Sequence, residues 1–162
     1  IPMSINIVPP RIVKSHWDAV EEGARNAGRN PNRSMWRVAR EIYIADTTEQ
    51  AREEALAGVL RRDFEQYFFP AYRNLPKLRM LDLMKTDPNM PDSDVTAEYV
   101  VDEIGIVGSP DDVTDKLRRL HRDVGGFGVL LAMGHEWQPR DKWINSMTLL
   151  AEEVMPNLAD LS

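Results

Sequence analysis

A helix with clear start and stop signals, followed by an apolar strand, is the feature that most constrains the fold of this chain. Ser109 can cap the helix with its hydroxyl, and Pro110 suits the first helical position, where its missing N–H costs nothing. Gly125 and Gly126 are expected to end the helix. Residues 127–133 are then predicted to form a strand buried on both faces. Alternation of helices with buried strands is typical of parallel α/β proteins.

Other apolar segments continue this alternation along the chain. Pro9 and Pro10 are expected to end the first strand, because neither can donate a backbone hydrogen bond. Ser15 is a candidate cap for the helix that follows, and Gly28 suits its end. Strands are predicted at residues 1–8, 35–45 and 127–133, and helices at residues 17–27, 46–68, 109–124 and 140–154.

The pattern breaks down between residues 71 and 102, where turn-forming dipeptides are frequent. A connection of this length is usually a lid, a substrate loop or a disordered segment. Short helices are predicted within it, around residues 77–84 and 96–101. The remaining three β/α units are too few for a complete barrel of eight units over about 250 residues. We therefore expect one partial domain, residues 1–162, that forms the C-terminal part of a (β/α)₈ TIM-type barrel with a long insertion.

Charge and composition narrow the classes of function. The chain has 162 residues, a net charge of −6 and no cysteine. Nucleic-acid binding is not expected, because it needs concentrated Lys and Arg. No apolar run approaches the roughly 20 residues that span a bilayer, so no membrane association is predicted. Without cysteine or a motif with metal-ligand spacing, no disulfide, thiolate chemistry or metal site is expected. A cytoplasmic location is the default prediction.

Several of these segments carry a family resemblance. The sequences IVGSPDDV at residues 106–113, GGFG at 125–128 and MP at 155–156 resemble the last quarter of luciferase-like flavin monooxygenases. Residues 36–51 resemble the strand and helix start that precede that family's insertion. The sequence GHEW at residues 134–137 is most similar to the limonene-monooxygenase-like branch.

The resemblance implies a (β/α)₈ barrel that uses reduced FMN, or a deazaflavin in some branches, to oxidise a small organic substrate with dioxygen. It implies that much of the flavin is bound by earlier strands, so we do not expect this chain alone to bind flavin tightly or to turn over. The implied partners are the substrate, the N-terminal part of the barrel, a flavin reductase and further copies of the same protein. The alternatives are a non-catalytic α/β association domain, whose open sheet edge a partner covers, and a deazaflavin-dependent oxidoreductase of the same fold.

Barrel enzymes place their active sites at the C-terminal ends of the strands. The predicted substrate-pocket residues are therefore Asn6, Asp46, His135, Glu136 and Trp137. His135 could transfer protons beside a carboxylate, and Trp137 could offer a flat apolar wall. These residues could equally shape a loop, and helix capping explains Asp46 and the adjacent threonine more simply. The sequence identifies no catalytic or cofactor-binding residue.

The insertion and the helices contain further candidate functional residues. The basic residues of the insertion could steer an anionic group or simply solubilise the loop. Its methionines suit either an adaptable apolar pocket or a contact with another part of the barrel or another subunit. His16 and His121 are expected on a helix surface or between helices. The basic residues are Arg73, Lys77, Arg79 and Lys85, and the methionines are Met80, Met84 and Met90.

Overall fold

A parallel four-stranded sheet organises the fold. The computed structural model describes residues 1–135 and 138–161. The strands are β1 (Met3–Ser4), β2 (Arg37–Ile44), β3 (Ile106–Gly108) and β4 (Val129–Met133). β2 pairs in parallel with each of the other three strands. The expected parallel α/β fold is confirmed.

Helices surround this sheet and supply three clusters of buried apolar side chains. The α-helices are α1 (Pro10–Asn26), α2 (Thr48–Ala57), α3 (Val59–Asp63), α4 (Phe69–Arg73), α5 (Met80–Met84), α6 (Ala97–Tyr99), α7 (Pro110–Val124) and α8 (Arg140–Leu149). π-Helical turns cover Phe64–Phe68, Val100–Ile104 and Leu150–Val154. 3₁₀ turns cover Arg33–Met35, Pro76–Leu78, Asp92–Asp94 and Met155–Leu161.

Alternate side chains of β2 face different helices, as the pleat of a strand requires. Ile42 and Ile44 pack with α7 and with the turn that follows α8. Tyr43 packs on the other side, in a cluster formed with α2, α3 and the segments up to residue 104. No helix within the described residues is long and apolar enough to cross a membrane.

The start and end signals of α7 are confirmed. The Ser109 hydroxyl accepts a hydrogen bond from the Asp112 N–H at 3.3 Å, and Pro110 is the first helical residue. Gly125 ends the helix with φ +81°, a left-handed conformation that a residue with a Cβ rarely adopts.

The first strand and the first helix differ from the prediction. The Val8 N–H donates to the Asn6 carbonyl at 3.0 Å, so the chain turns after a strand of only two residues. α1 begins at Pro10, not near Ser15, because a proline with a fixed φ fits the first turn of a helix. The predicted Ser15 cap is wrong, since its hydroxyl lies inside α1 and donates to the Ile12 carbonyl.

The last part of the sheet also departs from the prediction. β4 is not buried on both faces: its residues are exposed or half-buried, and the exposed fraction of Val129 is 36%. Among the described residues, β2 is the one strand that pairs with β4, which leaves the other edge of β4 uncovered. β3 was not predicted, because three residues before a helix cap are too few to give a strand pattern.

Residues 71–102 contain the predicted short helices, and polar contacts join parts of this segment to one another and to α1. The Tyr99 hydroxyl donates to the Met84 carbonyl at 3.0 Å. The buried Lys85 ammonium contacts the carboxylates of Asp82 and Asp92. The Arg11 guanidinium donates to the Lys85 carbonyl at 2.7 Å. The Lys85 side chain therefore joins parts of this segment, and its backbone carbonyl links the segment to α1.

Arg33 connects three elements around two stacked tryptophans. Its guanidinium lies 4.8 Å from the Trp17 ring centre and 5.6 Å from that of Trp36. One of its terminal nitrogens donates to the carbonyls of Val124 and Gly126 at 2.8 and 3.2 Å. It thereby fixes the end of α7 against α1 and the start of β2.

We expect Arg33→Ala to lower the free energy of unfolding by about 2 kcal/mol, because it removes charged hydrogen bonds and cation–π contacts together. Urea unfolding followed by tryptophan fluorescence measures the loss. Arg29→Ala, at an exposed position in the preceding turn, is the matched control and should change little. Equal effects of the two substitutions would contradict this role for Arg33.

Candidate functional site

Polar side chains from three parallel strands meet around Glu41. Glu41 lies in β2 and is in register with Met133, the last residue of β4. Asn6 follows β1, and its side-chain amide donates to Glu41 Oε1. His135 follows β4, and its Nε2 hydrogen-bonds Glu41 Oε2. Asn6 and His135 thus come from just beyond the carboxyl ends of β1 and β4 and meet Glu41 in the middle of β2.

A fourth residue, Asp63 at the end of α3, completes the group. Its Oδ2 lies 2.7 Å from Nδ1 of His135. The side chains of His135 and Glu41 are 9% and 3% exposed, whereas that of Asp63 is 28% exposed. We call Asn6, Glu41, Asp63 and His135 the Glu41 cluster. It is a largely buried histidine held between two carboxylates.

The environment of His135 has opposing effects on its pKa. Burial alone lowers it, because the charged imidazolium loses solvation. The hydrogen bonds and negative charges of Glu41 and Asp63 outweigh burial, so that the His135 pKa is raised above its ordinary value. The cluster therefore favours a protonated His135 near neutral pH.

This raised pKa predicts a pH-dependent stability. The contribution of His135 is fully present below its unfolded pKa of about 6.5 and is lost as the pH rises through the higher folded pKa. We expect the free-energy difference between the wild type and His135→Gln to shrink between pH 6 and pH 9, as measured by urea unfolding. A difference that is constant over this range would contradict the prediction. The comparison with the variant is needed because burial and Arg40 lower the pKa of His16, which has the opposite effect.

The structure brings together two of the five predicted pocket residues. Asn6 and His135 both contact Glu41. Asp46 is exposed and is not part of the cluster, and its neighbour Thr47 caps α2 by accepting from the Gln50 N–H at 3.1 Å. Glu136 and Trp137 lie outside the described residues.

Glu41 and Asp63 are not among the residues predicted from the sequence. A usable signal exists for Glu41: it and Arg40 are adjacent charges in an otherwise apolar predicted strand, where a charge needs a partner. The buried Arg40 guanidinium lies on the other side of β2 and donates to the Asn6 carbonyl at 2.7 Å. Burial lowers the Arg40 pKa to about 10, although Glu41 opposes this shift. Arg40 thus fixes the turn that carries Asn6.

The composition of the cluster limits its chemistry. Within residues 1–135 and 138–161, no group of three or more histidine, cysteine or acidic side chains could hold a metal ion. Both nitrogens of His135 are engaged by carboxylates, so the cluster is suited to hydrogen bonding and proton storage. Polar groups at the carboxyl ends of parallel strands are where α/β enzymes place their active sites.

Comparisons with known proteins identify the family. The model of the luciferase-like monooxygenase family matches residues 1–126. A 3,6-diketocamphane 1,6-monooxygenase of Pseudomonas putida is 33% identical over 147 residues, which are 90% of this chain and 38% of that protein. The limonene 1,2-monooxygenase of Rhodococcus erythropolis is 26% identical over 88% of this chain and 33% of that protein. The chain belongs to the luciferase-like monooxygenase family, and it spans well under half the length of these relatives.

A solved structure agrees with this assignment. It is the oxygenating constituent of 3,6-diketocamphane monooxygenase from the CAM plasmid of Pseudomonas putida, a type II Baeyer–Villiger monooxygenase in complex with FMN. It is 32% identical to this chain and superposes with a TM-score of 0.84. The match covers 96% of this chain and 42% of that structure.

Proposed function

We propose that this chain is the C-terminal portion of an FMN-dependent monooxygenase that oxidises a small organic substrate with dioxygen. In this proposal residues 1–162 are one partial domain of a (β/α)₈ barrel, and residues 71–102 cover the mouth of the site. The observation that carries the proposal is the Glu41 cluster. It lies just beyond the carboxyl ends of two parallel strands, β1 and β4, beside the middle of β2, in a chain of the luciferase-like monooxygenase family.

The charge and hydrogen-bonding groups of the Glu41 cluster fit the flavin ring of FMN better than its phosphate. Two carboxylates and one imidazole give the cluster a net negative charge whether or not the imidazole is protonated, which disfavours the FMN phosphate. Hydrogen-bonding groups at the mouth fit the polar edge of the flavin ring or the substrate. We therefore assign phosphate binding to other strands of the barrel. When bound, reduced FMN supplies the electrons and the position at which dioxygen is activated.

The residues of this chain would bind the substrate and orient it. Glu41 holds Asn6 and His135 in fixed positions through its two oxygens. We propose that Asn6 and His135, together with Glu136 and Trp137, form one wall of the substrate pocket. Because His135 and Glu41 are buried, this wall excludes water and presents groups whose geometry is already set.

The substrate class follows from the relatives. Proteins named for diketocamphane and limonene substrates favour a small, mostly apolar compound of terpenoid size. A separate flavin reductase would supply the reduced FMN, and the whole enzyme would be cytoplasmic and assemble from several copies.

A chimeric barrel tests this function. The chain replaces the matching C-terminal part of the 3,6-diketocamphane 1,6-monooxygenase of Pseudomonas putida, and the product is given chemically reduced FMN, dioxygen and a bicyclic diketone. We expect FMN binding and oxygenated product, detected by mass spectrometry. His135→Gln in the same chimera should lower turnover by about 10-fold or more, because a pocket wall displaced by 1 Å can cost 10²-fold.

Two outcomes would contradict the proposal. A folded chimera that binds FMN but makes no product with any terpenoid ketone would exclude the catalytic role. Stoichiometric, tight FMN binding by the 162-residue chain alone, seen as quenching of flavin fluorescence, would show that the main flavin site is not elsewhere.

The alternative of a non-catalytic association domain rests on the uncovered edge of β4. It predicts a chain that binds a partner protein but contributes nothing to turnover. In the chimera this alternative requires that His135→Gln leave product formation unchanged.

A further inference from the structure

Both ring nitrogens of His135 face carboxylates at hydrogen-bonding distance. Nε2 bonds Glu41 Oε2, and Nδ1 lies 2.7 Å from Asp63 Oδ2. A neutral imidazole has one N–H donor, and its other nitrogen carries a lone pair. That lone pair would repel an ionised carboxylate oxygen. With both carboxyl groups ionised, both contacts are attractive together only when both nitrogens carry a proton.

Asp63 is the more exposed of the two carboxylates that contact His135. Its side chain is 28% exposed, that of Glu41 is 3% exposed, and Arg62 Nε lies 3.6 Å from Asp63 Oδ1. Facing a carboxylate oxygen, Nδ1 of His135 makes an attractive contact at 2.7 Å when it carries the proton.

We propose that Asp63 is a positioning residue of the pocket, which keeps His135 doubly protonated and fixes the plane of its ring. Doubly protonated His135 then has no lone pair available to accept a proton, and with its two carboxylates it carries a net charge of −1. The link to the pocket rests on the proposed function, whereas the protonation state rests on the contacts of the chain itself.

The charged groups around His135 give Glu41 and Asp63 different roles. Glu41 faces the ring from β2 and Asp63 from α3, while the Trp143 ring of α8 lies 6.2 Å away and carries no charge. Glu41 also holds Asn6, so replacing Glu41 disturbs two contacts. Replacing Asp63 leaves the bonds of Glu41 to Asn6 and His135 in place, and it removes one of the two charges that oppose the burial of the ring.

Asp63 also connects His135 to the insertion. It is the last residue of α3 and is followed directly by the π-helical turn Phe64–Phe68 and by α4. A shift of this segment would withdraw a carboxylate from His135. The protonation of the pocket wall is therefore coupled to the position of the segment that enters the insertion.

Nitrogen-15 NMR of the histidine side chains of the purified chain tests the proposal. Nδ1 and Nε2 shifts report which nitrogens are protonated, and His135→Gln assigns the signals. We expect both nitrogens of His135 to carry protons at pH 7. Asp63→Asn should lower the titration midpoint of His135 by about one to three pH units, the usual effect of one close opposite charge. Its neutral form should keep the proton on Nε2, facing Glu41.

Glu65→Gln is the matched control. Glu65 lies two residues further along the same segment, is exposed and pairs with Arg61 at 3.0 Å, so its loss should leave the His135 titration unchanged. An Asp63→Asn titration like that of the wild type would overturn the proposal. If Asp63→Asn does not fold, the wild-type spectrum decides alone, since a single protonated nitrogen at pH 7 contradicts the inference. The measurement needs neither flavin nor substrate, so it can fail or succeed independently of the proposed function.

Discussion

Gly128→Ala is expected to abolish the native fold or to lower the free energy of unfolding by at least about 4 kcal/mol, as only severe backbone or packing conflicts do. A Cβ at this position would lie 2.6 Å from the Cα of Ser34 and closer still to its carbonyl group. The backbone segments cannot separate, because the Gly128 N–H donates to the Arg33 carbonyl at 3.0 Å and β4 pairs with β2 one residue later. Circular dichroism and urea unfolding measure the loss.

Gly23→Ala is the matched control for this substitution. Gly23 is exposed within α1, and nothing lies within 4 Å of an added Cβ. Alanine is favoured over glycine inside a helix by up to about 1 kcal/mol, so the control should be neutral or stabilising. If Gly128→Ala unfolds at the same urea concentration as the wild type, the close approach of the two segments is wrong.

Glu41→Ala is expected to lower the free energy of unfolding by about 3–5 kcal/mol, the usual cost of leaving a buried charge without its partner. The substitution removes the hydrogen-bond acceptor of Asn6 and one of the two carboxylates that stabilise protonated His135. The loss should be smaller at pH 9 than at pH 6, because a neutral His135 needs its carboxylate less. Urea unfolding at the two pH values measures both effects.

Glu53→Ala controls for the loss of a carboxylate as such. Glu53 is exposed on α2, where substitutions usually change stability by less than about 0.5 kcal/mol. Similar losses for Glu41→Ala and Glu53→Ala would show that Glu41 is not held in a buried cluster.

Local signals in the sequence predicted much of the fold. The cap of Ser109, the proline that follows it and the left-handed Gly125 are properties of neighbouring residues, and all three are confirmed. The parallel sheet followed from the alternation of apolar segments. The start of α1 was predicted incorrectly because proline can both end a strand and begin a helix, and only the tertiary turn after Ser4 decides between them.

The candidate site was only partly predictable. The rule that chemistry lies at strand ends found Asn6 and His135, since each comes two residues after the end of a strand. It could not find Asp63, which is 72 residues away from His135 and comes from a helix. The same rule could not show that Asp46 lies apart from Asn6 and His135, because the direction of a side chain after a strand depends on the turn that follows. Glu41 was missed because a charge inside an apolar strand was not weighed as a sign of a partner.

Within the described residues β4 pairs with β2 alone, and this affects how precisely His135 is positioned. His135 leaves the sheet directly after this strand, which is hydrogen-bonded along one edge among the described residues. In the proposed barrel, a strand paired with the other edge would influence the twist of β4 and, through it, the direction from which the imidazole meets Glu41. In the proposed barrel, the alignment of His135 would therefore depend on pairing of β4 with a neighbouring strand, although its contacts with Glu41 and Asp63 are made within this chain.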